Sequence, residues 1–521
     1  MKKTAILMLI CCMAICSCGT DDLIYDYNEE DMPEWIAAEI HDVQGNRYGI
    51  RWQTDNNEDL GERCLDAVGL RARFGVGATS GESDFDFIYP WSEIKRCNIR
   101  REGATTVITY EGEPSFSLDG RNGDIFVRIP KFYVEKYAEG GYEYRVVSAI
   151  GTTPHPAFIE NGKELDAVYV SAFEGNIDSD GKMHSVAGKI PACEMFPAQF
   201  LQAAKARGEG YTLYDMRTVD MLYTLVAVEF GCRNTGEIFG HGIAEYRQPI
   251  EKEWDKELIY YSQKNEQHTN SITCKRQYKN YITEGSAICI CNGSQKNIIT
   301  FATCTRIEKK RKTETYYFDG PPVDINTDCF VGNCPQKTNW TETCSAPHTS
   351  KTGRANMREP GLTTRNRNPM RYRWIENIVG NLWHLLPDVT FNDCQMYVCE
   401  NIADYEMFST QPPYRKVGDR LPMNNDNGDD IFIDRTGKNY WVTSITQEPG
   451  ISFGTTWTQD ITSQKAFGAY YYLSDGLVII ANGGGFDHGY RCNMLTNRAW
   501  ITPEIRWHLY GARLIYKPTV E

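Results

Sequence analysis

The chain has 521 residues, 12% of them aromatic with 31 Tyr and 11 Trp, and it carries 44 Gly. That composition favours a β-rich, loop-rich surface protein over a helical one, and the length suggests roughly two to four domains. A formal net charge of −14 excludes sequence-independent nucleic-acid binding, which needs a basic footprint.

The chain opens as a targeting segment. Lys2 and Lys3 form a basic start, and Ala5 to Ile15 is an apolar run too short to span a bilayer. It leads into Ile15-Cys16-Ser17-Cys18, which resembles a bacterial lipobox. The resemblance implies cleavage before Cys18 and lipidation of that cysteine. Gly19-Thr20-Asp21-Asp22 adds acidic residues directly after it, similar to the surface-export signal of Bacteroidota lipoproteins. A plain secretory signal with an incidental cysteine is the simpler alternative. No later apolar run is long enough for a membrane helix, so lipid would be the only anchor. The expected location is the outer membrane, facing the cell exterior.

Residues 19–40 are acidic and polar, a tether. A β-rich domain is expected over 41–127. Tyr48 to Trp52 alternates like a strand, Val107 to Tyr110 is another, and Gly123-Asp124 turns into Ile125 to Ile129, stopped by Pro130. A second domain is expected over 128–521. Lys131 to Tyr137 and Tyr142 to Val147 form a hairpin around Gly140-Gly141, and Val168 to Glu174 is a strand. Pro197 suits a first helical position, with Phe200, Leu201 and Ala204 on one face and Gly208 as the stop. Thr218 suits the N-cap of a second helix carrying Met221, Leu222, Leu225 and Val228 and closed by Gly231.

Over about 236–365 the pattern breaks down. The segment is polar and cysteine-rich, carries the solvated basic run Lys309 to Lys312, and reads as an insertion with its own short strands. With the signal cleaved and Cys18 lipidated, fourteen of the 18 cysteines remain, eight of them between Cys232 and Cys344. An exported compartment permits disulfides, and some are expected there, with a connectivity no sequence reveals. Zinc is the competing reading, but Cys289-x-Cys291 and Cys329-x4-Cys334 lack the paired spacing of a structural zinc site.

Beyond the insertion, Asp388 to Glu400 alternates as one strand and places Cys394 and Cys399 on opposite faces. The acidic run Asn424 to Asp430 could offer oxygens to calcium but lacks EF-hand spacing, so it reads as a solvated turn. Leu477 to Ala481 is an apolar strand, Gly483 to Gly485 permit tight backbone, and Ala512 to Tyr516 is a closing strand. Between them lies a long connection dense in Tyr, Trp, Arg, Asn and His, residue types enriched at binding hot spots. A large loop packed on its own aromatics is the structural alternative. There is no HExxH, GxSxG or Walker A motif, and no cofactor is implied.

One combination of motifs is distinctive. It comprises Arg128 to Tyr133, Val168 to Glu174, Gly208 to Asp215, Val228 to Gly231 with Asn234, Trp374 to Trp383, and Gly483 to Phe486 with Gly511 to Leu514. In this order the motifs resemble the C-type-lectin-like family that contains formylglycine-generating enzymes and the variable proteins of diversity-generating retroelements. The likeness is nearest to phage tail-associated and gut-bacterial surface members, and it covers most of the chain except 236–365. It implies an α+β fold: a C-type-lectin-like (formylglycine-generating-enzyme-like) domain preceded by a smaller β-rich domain.

Within that family, the oxidases hold copper with a cysteine pair after the Gly-Gly-x-aromatic element. This chain has Cys492 alone there, and a lone thiol does not fix Cu(I). The binding branch fits better. The resemblance implies ligand-facing roles for Asp487, His488, Tyr490, Arg491, Asn493, Arg498, Trp500, Trp507, His508 and Tyr510. Some of these aromatics, Trp507 first among them, are expected in the core instead. The expected function is binding of a protein or glycan ligand on another cell, phage or host, with a face open to retroelement diversification and no chemistry performed. A formylglycine-type enzyme and a structural subunit of a surface fibre or phage-tail-like assembly are the alternatives.

Overall fold

Alternating apolar residues build the first strand, Arg47–Gln53, which turns Tyr48, Ile50 and Trp52 inward. It pairs with Glu62–Leu65 on one side and Tyr142–Ser148 on the other, and Tyr133–Glu139 completes a four-stranded sheet. Gly140 and Gly141, both at positive φ (+59° and +81°), form the hairpin turn between the last two. The computed structural model describes residues 46–72, 83–103, 105–244, 260–276, 282–293, 297–343, 369–421, 441–446, 448–458, 467–469 and 471–518, except for a few side chains, Tyr490 among them. The expected signal segment, the expected lipidation site Cys18, the expected tether and the Asn424–Asp430 run lie outside the described residues. By contacts the chain divides into Met1–Gly45 and Asn46–Glu521, and every described residue belongs to the second unit.

Against this sheet packs the Met216–Phe230 helix. Asp215, rather than Thr218, is its N-cap, its carboxylate accepting from the Thr218 backbone N–H at 2.8 Å. Gly231, at φ +61°, ends it in the left-handed conformation. Every residue from Met216 to Glu229 is buried, so this is a central helix rather than an amphipathic surface one. The Pro197–Lys205 helix is the amphipathic kind, burying Phe200, Leu201 and Ala204.

A second, six-stranded sheet runs Tyr211–Leu213, Leu514–Tyr516, Ala167–Ser171, Asp124–Pro130, Lys95–Glu102, Thr105–Tyr110, with all pairs antiparallel. The boundary expected at residue 127 falls inside its strand Asp124–Pro130, which pairs with Lys95–Glu102 on one edge and Ala167–Ser171 on the other. The chain's closing strand, Leu514–Tyr516, returns to the same sheet between Tyr211–Leu213 and Ala167–Ser171.

Within the cysteine-rich segment a third sheet, also six-stranded, runs Tyr260–Tyr261, Cys329–Asn333, Ala287–Asn292, Asn297–Lys309, Thr313–Phe318, Ser271–Lys275. It has a small core of its own around Ile272, Ile288, Ile290 and Tyr316. The disulfides expected here are not formed among the described residues. All thirteen described cysteines, including Cys232, Cys274, Cys289, Cys291, Cys304, Cys329 and Cys334, are free thiols. The Cys291 S–H donates to the Cys289 sulfur at 3.5 Å, and no disulfide joins them.

The α+β, C-type-lectin-like class does not hold. Of the described residues 41% are strand and 12% helix, a sheet-rich, β-sandwich-like class. The helical stripes are real but short, whereas the patternless segment contributes a whole sheet. Non-local pairing supplies order there that no local periodicity announces.

Candidate functional site

The terminal face is carried by a seven-stranded sheet. Trp383–Asn392 pairs with Leu477–Asn482, which pairs in turn with Asn497–Ile501. Tyr471–Leu473 lies parallel to Asn497–Ile501, and Tyr510–Gly511 lies parallel to the start of Trp383–Asn392. The long connection expected between two strands is therefore split by a third strand, leaving a loop at 483–496 and another at 502–509.

Glycines and one asparagine fix the first loop. Gly483 and Gly484 take φ of +92° and +94°, and a Cβ on Gly484 would collide with the Cys492 sulfur. A Cβ on Gly485 would sit 2.8 Å from the Trp383 ring. The buried Asn482 amide donates to the carbonyls of Met494 (2.8 Å) and Thr496 (3.2 Å) and to Asn497 Oδ1 (3.0 Å). These bonds pin the loop's return to the strand it leaves.

Three of the expected ligand-facing residues are buried, a correction to the sequence reading. Asn493 is 0% exposed; its amide donates to the Phe467 carbonyl (3.1 Å) and to Asn234 Oδ1 (3.3 Å), and its own oxygen accepts from Leu495 N–H (3.0 Å). His508 is also 0% exposed, packed on Phe486 and Trp507 with Glu194 at 3.7 Å. Tyr510, 1% exposed, accepts the Trp500 indole N–H at 3.0 Å. All three brace the face from beneath because their polar atoms or rings are engaged by protein.

The outer layer holds Asp487, His488, Arg491, Arg498, Trp500 and Trp507, all partly exposed. The backbone of Tyr490 belongs to the single turn Gly489–Arg491. Asp487 Oδ1 sits 2.7 Å from His488 Nδ1, and with the proton on that nitrogen His488 Nε2 is an acceptor facing an Arg498 N–H at 3.5 Å. The Arg498 guanidinium lies 4.1 Å over the Trp500 ring, with the Tyr472 and Trp383 rings at 5.7 and 6.0 Å. The Trp500 and Trp507 rings meet edge to face at 6.4 Å. Trp507, expected in the core, keeps an exposed portion, and its indole N–H makes no hydrogen bond among the described residues.

Trp383, Tyr472 and Ile505 join this face although the sequence does not mark them for it. Trp383 is visible beforehand only as a motif member. Nothing local indicates that its ring supports His488, at 4.9 Å between centroids.

The thiols offer little reactivity here. Cys492 is buried, its proton donating toward the Gly485 carbonyl at 3.4 Å, and burial pushes the thiol well above its usual range. Cys394 and Cys399 do not share one strand. Asp393 and Cys394, at φ +48° and +63°, form a tight turn between Trp383–Asn392 and Gln395–Val398. Among the described residues no three His, Cys, Asp or Glu side chains are placed to hold a metal, and no helix is long and apolar enough to cross a membrane.

No protein-family model matches the chain, and no curated protein matches its sequence.

Proposed function

We propose that this chain is a lipid-anchored surface protein of a bacterium that binds a protein or glycan ligand through the face formed by Asp487, His488, Arg491, Arg498, Trp500 and Trp507, and performs no chemistry there. The observation that carries the reading is the layering of the terminal loops. Aromatic and cationic side chains stay partly exposed on top, while the Asn482 and Asn493 amide N–H groups and the Tyr510 hydroxyl hold the loops from beneath. Rigid aromatics that need no ordering on contact are what a binding face requires. Relationship to the retroelement-variable proteins, with genetic diversification of this face, belongs to the same proposal and rests on the order of the motifs.

Two measurements test it. Fatty-acid labelling in cells is expected for the wild type and absent in Cys18→Ser; equal labelling removes the anchor. Protein and glycan arrays probed with the full-length chain in detergent are expected to give signals that fall at least tenfold in Trp507→Ala. Array signals that survive both Trp507→Ala and Arg498→Ala sink the assignment of the face.

A further inference from the structure

We infer that the ligand of this face is a carboxylate-bearing sugar, with Arg498 clamping the carboxylate and the Trp500 and Trp507 indoles taking the flat side of the ring. The inference rests on the terminal face being the ligand face.

The argument starts from how arginines are held in this chain. Arg145 is paired with Asp220, Arg373 with Glu229, Arg207 with Asp124 and Arg96 with Glu111. Arg513, fully buried, donates instead to the backbone carbonyls of Ser171, Glu376 and Asn377. Arg498 has neither kind of partner. Among the described residues no carboxylate oxygen lies within 4.0 Å of it, and its contacts are three aromatic rings and the edge of His488. Aromatic stacking fixes the plane of a guanidinium without consuming its N–H donors. What results is a preformed, partly exposed fork suited to a bidentate carboxylate.

The surroundings select the rest of the ligand. Beside the fork lies the Trp500 ring, which meets the Trp507 ring edge to face at 6.4 Å, and the Trp507 indole N–H makes no hydrogen bond among the described residues. Aromatic faces carry negative charge density and attract the polarised C–H groups on one side of a sugar ring. His488, 3.5 Å from an Arg498 N–H, and Asp487 paired with it add polar atoms for sugar hydroxyls. A carboxylate beside a ring with one apolar face and several hydroxyls matches a uronic or sialic acid. An acidic peptide offers the carboxylate without the flat ring.

Calorimetry with the full-length chain in detergent tests this against three probes: a glucuronate-containing oligosaccharide, the same oligosaccharide with its carboxyls reduced to alcohols, and an oligoglutamate peptide of equal charge. The acidic sugar is expected to bind roughly tenfold to a hundredfold more tightly than the reduced one, the range for a charge-assisted hydrogen-bond pair. Arg498→Gln should abolish that discrimination and leave the weak binding of the reduced sugar. Arg498→Lys should restore only part of it, since an ammonium lacks the fork. Trp507→Ala should weaken both sugars. Equal affinity for the acidic and reduced sugars, tighter binding of the peptide, or no binding of any probe overturns the inference. If Trp507→Ala weakens sugar binding and Arg498→Gln does not, only the carboxylate clamp fails. If acidic-sugar binding survives both substitutions, the face itself is wrongly assigned.

Discussion

Replacing Asp220 with Asn probes the contact that joins the central helix to the first sheet. Asp220 is fully buried on the Met216–Phe230 helix, 2.8 Å from Lys136 Nζ, 2.9 Å from Arg145 and 3.0 Å from His155, and it accepts from the Ser452 hydroxyl. Lys136 and Arg145 come from the hairpin of the first sheet, so one carboxylate gathers distant parts of the chain. Burial works against its ionisation, but Lys136, Arg145 and His155 together outweigh that and hold its pKa well below the usual range. Asp220→Asn keeps the shape and leaves two cations without a counter-charge, which costs about 3–5 kcal/mol. At an unfolding entropy of about 2.1 cal/mol/K per residue, a unit of this size loses roughly 1 °C per kcal/mol, so the expected drop is about 3–5 °C by circular dichroism at pH 7. The sign with pH follows from the lowered pKa. Its stabilisation is complete above the unfolded-state value of about 3.9 and is lost as pH falls below it toward the folded value. The gap between wild type and variant should therefore narrow below about pH 4. A gap under about 1 °C at pH 7, or one that widens in acid, would refute the reasoning.

Three further outcomes are expected. Asp388, buried beside Asp215, has its carboxyl pushed up to about 7, by burial first and by Asp215 second. A raised folded value means stability fully present below about pH 4 and lost as pH rises to about 7, so Asp388→Asn should gain on wild type between about pH 4 and 7; parallel melting profiles would contradict this. Gly484→Ala forces a side chain into a left-handed conformation and against Cys492, and should cost about 1–3 kcal/mol. Gly162→Ala, also at positive φ but with open space around it, is the strain-only control and should cost less. Finally, alkylation under denaturing, non-reducing conditions should label all thirteen described cysteines, and protection of any pair would reveal a disulfide.

The legible parts of this fold are those set by near neighbours. Gly140-Gly141 fixes a hairpin, Pro197 opens a helix and Gly231 closes one, because each constrains its own backbone angles. Legibility fails where two local readings compete. Asp388 to Glu400 alternates through a tight turn at Asp393-Cys394, so one expected strand is two. Thr218 suits a cap, but Asp215, one turn earlier, takes the role and uses Thr218 as its donor.

For the candidate site the division is sharper. The amino-acid sequence alone determined which side chains gather near the C-terminus and that glycines bend the chain there. Only the tertiary structure decided that Trp507 stays partly exposed while Tyr510, three residues on, is buried, and that Arg498 stacks on rings instead of meeting an acid. Loops have no period to set which side faces inward. The choice falls to what packs beneath them, and here that is Trp383 and Tyr472, on strands brought in from elsewhere in the chain.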